Sequence, residues 1–469
     1  MFQHALLSDS DVAKLADAVT AILERTGVLC QNGEMMDALE AWGAEVDRER
    51  QEVRFPARLV AEFVAGTRAE YGGKDVGGPP LKAPGRPGLG TQVAQLYLDD
   101  DTGERRAGTR EDLIRLTKFG SVLHPEHAVG HSLLLQDVPP LVEPLEAGLI
   151  LAEYAPIPGA PFTWNARQVP YAIEMGNVMG IENWFALGAI CFSHPLRFDR
   201  DVADRFVIAA RMGHSIGLTG MQVAGATTPI TVAGFVAVSA AEYIATWITG
   251  RALNPDVALG GSLWAATLDM RGGDASFSAP DAMLRAFALN EFLRRWCGLA
   301  IHVGGGEYSS AKAVGLYATL EKAYKALQIA AYTGAHPGVG QGMVEQGRAI
   351  SLVQLLLDWE MTTGLESLTQ EVVVDDETIA LDTIHEVGYG LETNYLGSEH
   401  TLRHYRATTW IPPFTDRSGY RGCQSEEEAL QKARAKIQEM LARYVKPEKD
   451  PAMLAELRRI VDRARKELL

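Results

Sequence analysis

The chain has 469 residues, with 47% apolar residues and 44 Lys+Arg against 60 Asp+Glu, a formal charge of −16. The apolar share is that of a globular protein and excludes the disordered and fibrous classes. The acidic balance argues against nucleic-acid binding, which needs clustered Lys and Arg to neutralise phosphates.

Four cysteines (Cys30, Cys191, Cys297, Cys423) stand far apart with no CxxC pair, so neither a disulfide framework nor a zinc ribbon is expected. A reduced, cytoplasmic setting follows, and no signal-peptide apolar region develops after Met1.

In chain order, residues 8–25 repeat apolar side chains at helical spacing (Val12, Leu15, Ala16, Val19, Leu23), with Ser8 or Ser10 placed as the cap. A second helix is predicted over 34–42. After a charged turn at 47–51, Val53-Arg54-Phe55 and Pro56 open a third. Glycine and proline crowd residues 71–90, which read as a linker. Residues 1–85 thus form an α-rich N-terminal segment and linker. The longest apolar stretch, 229–241, is cut by Glu242. It is too short to cross a bilayer and reads as a buried helix, so no membrane contact is expected.

Over residues 86–368 short apolar runs alternate with helical patterns. Candidate strands fall near 87–91, 128–135, 161–165, 185–192, 215–221, 257–263, 299–304 and 336–342. Candidate helices fall near 110–122, 142–153, 168–179, 199–212, 229–248, 280–297, 311–334 and 349–365. This strict alternation is the arithmetic of an α/β protein with a (β/α)8 TIM barrel. A doubly wound open sheet is the alternative, since alternation does not establish closure. Residues 369–469 form a C-terminal helical extension, with an acid-led helix over 375–387 and charged helices over 426–444 and 451–468.

In a barrel, reacting groups sit at the C-terminal ends of the strands. In order, those ends hold Tyr97; His131; Trp164 and Asn165; Cys191, Phe192 and His194; Gln222; Trp264; Gly304-Gly305-Gly306-Glu307-Tyr308; and His336 with Gln341. The set is rich in rings and amides and poor in Asp, Lys and Arg. His131, His194 and His336 are scattered without a carboxylate cluster, so no metal site is expected. There is no GxSxG elbow, Lys312 falls near a helix start, and Glu307 lacks the second carboxylate that glycosidases need.

A mouth of rings is suited to a cation. Tyr97, Trp164, Phe192, Trp264 and Tyr308 come from five strand ends, and converging faces would hold a quaternary ammonium at roughly 0.5–2 kcal/mol each. Core packing or a lid is the alternative role for each ring. The glycine triplet either cradles phosphate at a helix start or lets a bulky partner approach the backbone. No basic residue nearby favours phosphate.

Two runs are more specific: Val372-Val373-Val374-Asp375-Asp376-Glu377-Thr378-Ile379-Ala380-Leu381-Asp382-Thr383-Ile384-His385-Glu386-Val387-Gly388, and Leu396-Gly397-Ser398-Glu399-His400-Thr401-Leu402-Arg403-His404-Tyr405-Arg406. They resemble the trimethylamine methyltransferase family, especially its members without pyrrolysine. Ile22-Leu23-Glu24-Arg25-Thr26-Gly27-Val28, Asp101-Thr102-Gly103-Glu104-Arg105-Arg106-Ala107-Gly108-Thr109, and Asp269-Met270-Arg271 with Pro280 and Asp281 extend the resemblance over nearly the whole chain.

The resemblance implies a (β/α)8 methyltransferase that presents a methylated amine to a separate corrinoid protein, whose reduced cobalt accepts the methyl group. No cofactor is then held tightly by this chain, because cobalamin arrives with the partner. Gly304, Gly305 and Gly306 would face it, and a homo-oligomer is expected. Members with pyrrolysine act on trimethylamine. Ordinary residues throughout shift the expectation to a quaternary amine, glycine betaine or a related betaine.

A quaternary nitrogen leaves as a neutral tertiary amine and needs no general acid, so the enzyme contributes placement and desolvation. A betaine carboxylate would need donors, and His131, Asn165, Gln222, His336 and Gln341 are those available; no catalytic residue is assigned. The alternatives are a methyltransferase for another methylated amine, a barrel that sequesters a betaine or corrinoid protein without turnover, and a metal-dependent hydrolase.

Overall fold

The structure is a computed structural model that describes residues 5–72, 88–90, 92–187, 189–333, 339–367, 370–417, 419 and 426–469. The central helices occupy the predicted places: Arg110–Leu123, Glu143–Tyr154, Val169–Val178, Arg200–Arg211, Val232–Leu253, Pro280–Cys297, Leu316–Thr333 and Leu352–Ser367. Their ends have chemical causes. The Asp112 N–H donates to Thr109 Oγ1 while the Asp112 carboxylate accepts the Thr109 N–H, a reciprocal capping box. Pro280 begins its helix at a position that needs no N–H, and Gly298 ends it in the left-handed region at φ +79°.

The helix Val232–Leu253 runs through Glu242, as the predicted helix over 229–248 does, and reaches 22 residues with a mean hydropathy of 1.4. It is long and apolar enough to cross a bilayer, yet 78% of that apolar window is buried inside the protein, as expected of a core helix. Glu242 does not end it because its carboxylate is satisfied within the core, as described below.

Parallel strands lie between the helices. Ile216–Gly220, Leu259–Leu263 and His302–Val303 form one sheet, with Leu259 opposite Ile216, Leu263 opposite Gly220 and Ser262 opposite His302. Phe162–Thr163 pairs in parallel with Ala186–Leu187. Parallel bridges join Ala94 to Leu133 and Val129 to Pro158. Single bonds from Thr219 N–H to the Ile190 carbonyl (2.8 Å) and from Gly340 N–H to the Gly306 carbonyl (3.3 Å) connect further neighbours.

The fold is therefore mixed α/β with short sheets, and among the described residues no sheet closes on itself. Some of these segments approach backbone to backbone. A Cβ on Gly90 would fall 2.2 Å from the Gly130 Cα, and one on Gly159 would fall 2.8 Å from the same atom. Three segments thus meet where any side chain would wedge them apart.

The N-terminal segment contains more than helices. Asp9–Ala21, Gly33–Ala41 and Ala57–Tyr71 are present, and Ser8 is the first cap. Val28–Cys30, Glu45–Asp47 and Glu52–Arg54 add an antiparallel sheet, edged in parallel by Arg197–Phe198. This segment shares one apolar core with Val232–Leu253 and Pro280–Cys297. Glu291 fastens it by accepting the Leu6 and Leu7 N–H groups.

A second core joins residues 89–185 and 343–357 to the terminal helices Glu426–Ala442 and Pro451–Leu468. The helix predicted over 375–387 is divided into Asp376–Ile379 and Leu381–Val387 by Ala380 at φ +56°.

Candidate functional site

The C-terminal ends of the parallel neighbours Ile216–Gly220, Leu259–Leu263 and His302–Val303 gather one set of side chains. Trp264 N–H donates to the Gly220 carbonyl (2.8 Å) and Gly304 N–H to the Leu263 carbonyl (2.9 Å), so the ladder carries on past the strands and aligns Gln222, Trp264 and the 304–308 turn. Beyond them Val223–Ala224, Ala266–Asp269 and Asp274–Ser276 form a small sheet that delivers Phe277.

Glu307 is the hub. It is buried, and its Oε1 accepts the Trp264 indole N–H (2.5 Å) and the Gln92 amide (3.0 Å), while Oε2 accepts the Gly305 N–H (3.1 Å). The Trp264 and Tyr308 rings meet edge to face at 6.4 Å, and Tyr308 meets Phe277 at 5.6 Å. Burial pushes the Tyr308 hydroxyl's pKa upward, so it stays a neutral phenol. The result is a wall of three rings around a carboxylate that already accepts hydrogen bonds on both oxygens.

Behind this wall lies Lys325, fully buried, its ammonium donating to the Phe277 carbonyl. Burial lowers its pKa from 10.5 to about 7, against the opposing charges of Glu307 and Glu321 and with help from Lys322. The unfolded lysine keeps its proton to about pH 10.5 and the folded one only to about 7, so folding releases a proton in that window. Stability contributed through Lys325 therefore rises with pH between those values, by on the order of 1 kcal/mol per unit, and is flat below them.

Lys325→Met should remove this slope. Melting temperatures of wild type and variant from pH 6.5 to 9.5 test it, with wild type gaining on the variant as pH rises. Parallel profiles would show that Lys325 does not titrate there.

Glu242 forms a second hub. Its Oε2 accepts His194 Nδ1–H (3.0 Å) and the Gln222 amide (2.6 Å), and its Oε1 accepts the Leu196 N–H (2.7 Å). The Met221 N–H faces His194 Nε2 at 3.3 Å. The Gln222 Oε1 is buried with no hydrogen-bond partner among the described residues.

The five predicted rings do not converge. Trp264 and Tyr308 come together, and Phe277, which the strand-end pattern missed, joins them. Tyr97 points the other way, under the Arg106 guanidinium (5.1 Å) with its hydroxyl on Asp100 (3.2 Å), in the core against Arg110–Leu123. Its strand, Leu96–Leu98, is half of a hairpin with Arg105–Ala107, and alternation puts Tyr97 opposite Leu96 and Leu98. Phe192 is buried against Phe198 (4.5 Å) and Phe206 (5.7 Å). Trp164 is 37% exposed, and its ring neighbour is Phe162 at 5.0 Å.

The predicted carboxylate donors are largely engaged elsewhere. His131 is buried, with Nε2 on the Leu133 carbonyl and Glu143 (each 3.0 Å) and Nδ1 facing the Phe162 N–H. Asn165 Oδ1 caps the Arg167 N–H, and the Gln222 amide N–H is on Glu242. Gln341 sits in the left-handed region at φ +80°. His336 lies outside the described residues.

Gly304, Gly305 and Gly306 are buried. A Cβ on Gly304 would lie 2.3 Å from the Trp264 ring and one on Gly305 would lie 2.7 Å from the Lys325 ammonium nitrogen, so the close approach that the triplet permits is internal. Among the described residues, no group of three or more His, Cys, Asp or Glu is placed to hold a metal ion.

Rings and a carboxylate gathered at the ends of parallel strands suit the substrate-positioning site of an enzyme. Comparison with known proteins makes the class specific. The family profile for trimethylamine methyltransferase (MTTB) matches residues 2–468, and the chain belongs to that family.

Among its relatives is the glycine betaine methyltransferase of Desulfitobacterium hafniense (strain Y51), 24% identical over 488 residues, covering 99% of this chain and 98% of the relative. Another is the trimethylamine methyltransferase MttB of Desulfitobacterium hafniense (strain DSM 10664 / DCB-2), 24% identical over 86% of this chain and 82% of the relative. A third, the trimethylamine methyltransferase MttB2 of Methanosarcina mazei, is 27% identical over 59% of this chain and 55% of its own length. The protein is a methyltransferase.

Proposed function

We propose that the protein moves a methyl group from a quaternary amine, glycine betaine or a related betaine, to the cobalt of a separate corrinoid protein. The observation that carries this reading is the wall of Trp264, Tyr308 and Phe277 around the buried Glu307. Ring faces attract an onium group without needing hydrogen bonds, and more strongly where water is excluded. Glu307 adds a carboxylate beside the Trp264 ring that accepts hydrogen bonds on both oxygens.

The partner's reduced corrinoid supplies the nucleophile. This chain's side chains fix one methyl group in the line of attack and keep water away. The reading takes the parallel neighbours and the alternating helices as parts of a (β/α)8 barrel with the site at its C-terminal mouth. In it, Gly304, Gly305 and Gly306 form the back of the pocket instead of a surface that meets the corrinoid.

One observation favours a second substrate type. The donors of His131 and Gln222 are engaged within the protein, so the site as it stands also suits a quaternary amine without a carboxylate.

Incubation with Co(I) cobalamin and a panel of quaternary amines tests the reading. A tertiary amine and methylcobalamin in equal amounts are the expected products. Turnover of trimethylamine alone would move the assignment to another methylated amine. Saturable binding without either product would leave a sequestering barrel.

A further inference from the structure

Residues 370–409 leave the body of the protein after the helix Leu352–Ser367 and return to the same helix. The Trp410 indole N–H donates to Thr363 Oγ1 (3.1 Å), and its ring lies 3.2 Å from the place a Gly364 Cβ would occupy. Glu360, one turn earlier, accepts the Phe414 and Thr415 N–H groups.

The excursion is an organised arm. Asp375 caps Asp376–Ile379, Ser398 caps Glu399–Thr408, and Arg403 ties Glu377 (3.1 Å) to Glu399 (2.8 Å). Among the described residues, the hydrogen bonds and ion pairs of 370–409 all stay within the arm. Its only buried residue is Val387.

Against that stands a dozen exposed large apolar side chains, among them Val372 (83%), Tyr389 (98%), Leu391 (89%), Leu396 (86%) and Leu402 (82%). At roughly 100 Å² each they present about 1,200 Å² of apolar surface along the arm.

The same chain carries a second uncovered apolar surface. On the helix Leu316–Thr333, Leu316, Tyr317, Leu320, Tyr324 and Leu327 are all exposed by 41–66%. Their three- and four-residue spacing makes one stripe, opposite the face that buries Lys322 and Lys325. This helix packs beside Leu352–Ser367 through the ion pair of Lys322 and Asp358 (2.6 Å), so stripe and arm root sit on adjacent helices.

We propose that the arm of one copy covers the Leu316–Thr333 stripe of a second copy, in a two-fold exchange. Each chain supplies one arm and one stripe, which is the self-complementarity that an isologous dimer requires. With both roots beside the axis, each arm lies next to the other copy's stripe. Covering both pairs buries on the order of 2,000–4,000 Å², the range of permanent homodimers rather than of transient encounters.

Sedimentation of the full-length chain tests this without reference to methyl transfer. Wild type should sediment as two copies of the 50.9 kDa chain. Leu396→Asp with Leu402→Asp in the arm, and separately Leu320→Asp with Tyr324→Asp in the helix, should each weaken association at least 100-fold. All four positions are exposed, and the two pairs lie on different elements, so a common folding defect would not explain both results. Mixing differently tagged Leu396→Cys and Leu320→Cys copies should form a disulfide between tags. A monomeric wild type, a dimer that survives either double variant, or an arm shielded only on adding a corrinoid protein would overturn the proposal.

Discussion

Replacing Trp264 with alanine is expected to lower kcat/KM for the quaternary amine at least tenfold, whereas Trp164→Ala should change it less than twofold. Both tryptophans follow strands at equivalent places, and the sequence treats them alike. The structure separates them. Trp264 turns its N–H onto Glu307 at 2.5 Å and its ring toward Tyr308, while Trp164 is 37% exposed beside Phe162.

A tenfold effect needs only about 1.4 kcal/mol. Loss of one cation–ring contact supplies roughly 0.5–2 kcal/mol, and Glu307 also loses a donor to a buried carboxylate, worth about 1.5–3 kcal/mol. Glu307→Gln should act in the same direction, since the amide brings a donor to an atom already facing N–H groups. The rise should fall mainly on KM, because both changes weaken capture. Steady-state kinetics of the three variants decides the matter, and equal losses in the two tryptophan variants would remove Trp264 from the pocket.

The helices were legible because their signals are local. Caps such as Thr109 with Asp112, Pro280 at a start and Gly298 at an end need no tertiary information. The strands were harder. Val28–Cys30 and Glu45–Asp47 have three residues each, too few to establish a period of two, and so the N-terminal segment read as helical. The rings failed for a different reason. A position at a strand end fixes height along the strand and leaves the facing side open, so Tyr97 and Phe192 turned into cores while Trp264 and Tyr308 turned toward each other.

Glu307 was visible as a carboxylate at a strand end, but its partners are N–H donors, not the second carboxylate that a strand-end pattern would reveal. Lys322 and Lys325 are spaced like ordinary charges on a helix. Only distant residues, Asp358 and the carbonyl of Phe277, make their burial tolerable, and no local pattern reveals that.

That burial gives the second large prediction. Lys322 and Asp358 are both fully buried and 2.6 Å apart. Burial pulls the Lys322 pKa down and the Asp358 charge opposes it. Asp358 also accepts the Gly342 N–H (2.9 Å) and the Gln354 amide (2.9 Å), which ties the last strand region to the helices Leu316–Thr333 and Leu352–Ser367. Asp358→Ala strands an ammonium and two donors at once, which for a buried pair costs about 3–5 kcal/mol.

At roughly 2 cal/mol/K of unfolding entropy per residue, 1 kcal/mol moves the melting temperature of a chain this long by only about 1 °C. The expected fall is therefore about 3–5 °C. Lys322→Met with Asp358→Leu removes both charges together and should recover most of that loss, because the penalty arises from a charge left alone. Thermal melts of the two variants against wild type make the comparison. If the double variant melts as low as Asp358→Ala, the pair itself contributes the stability, and the argument from stranded charge fails.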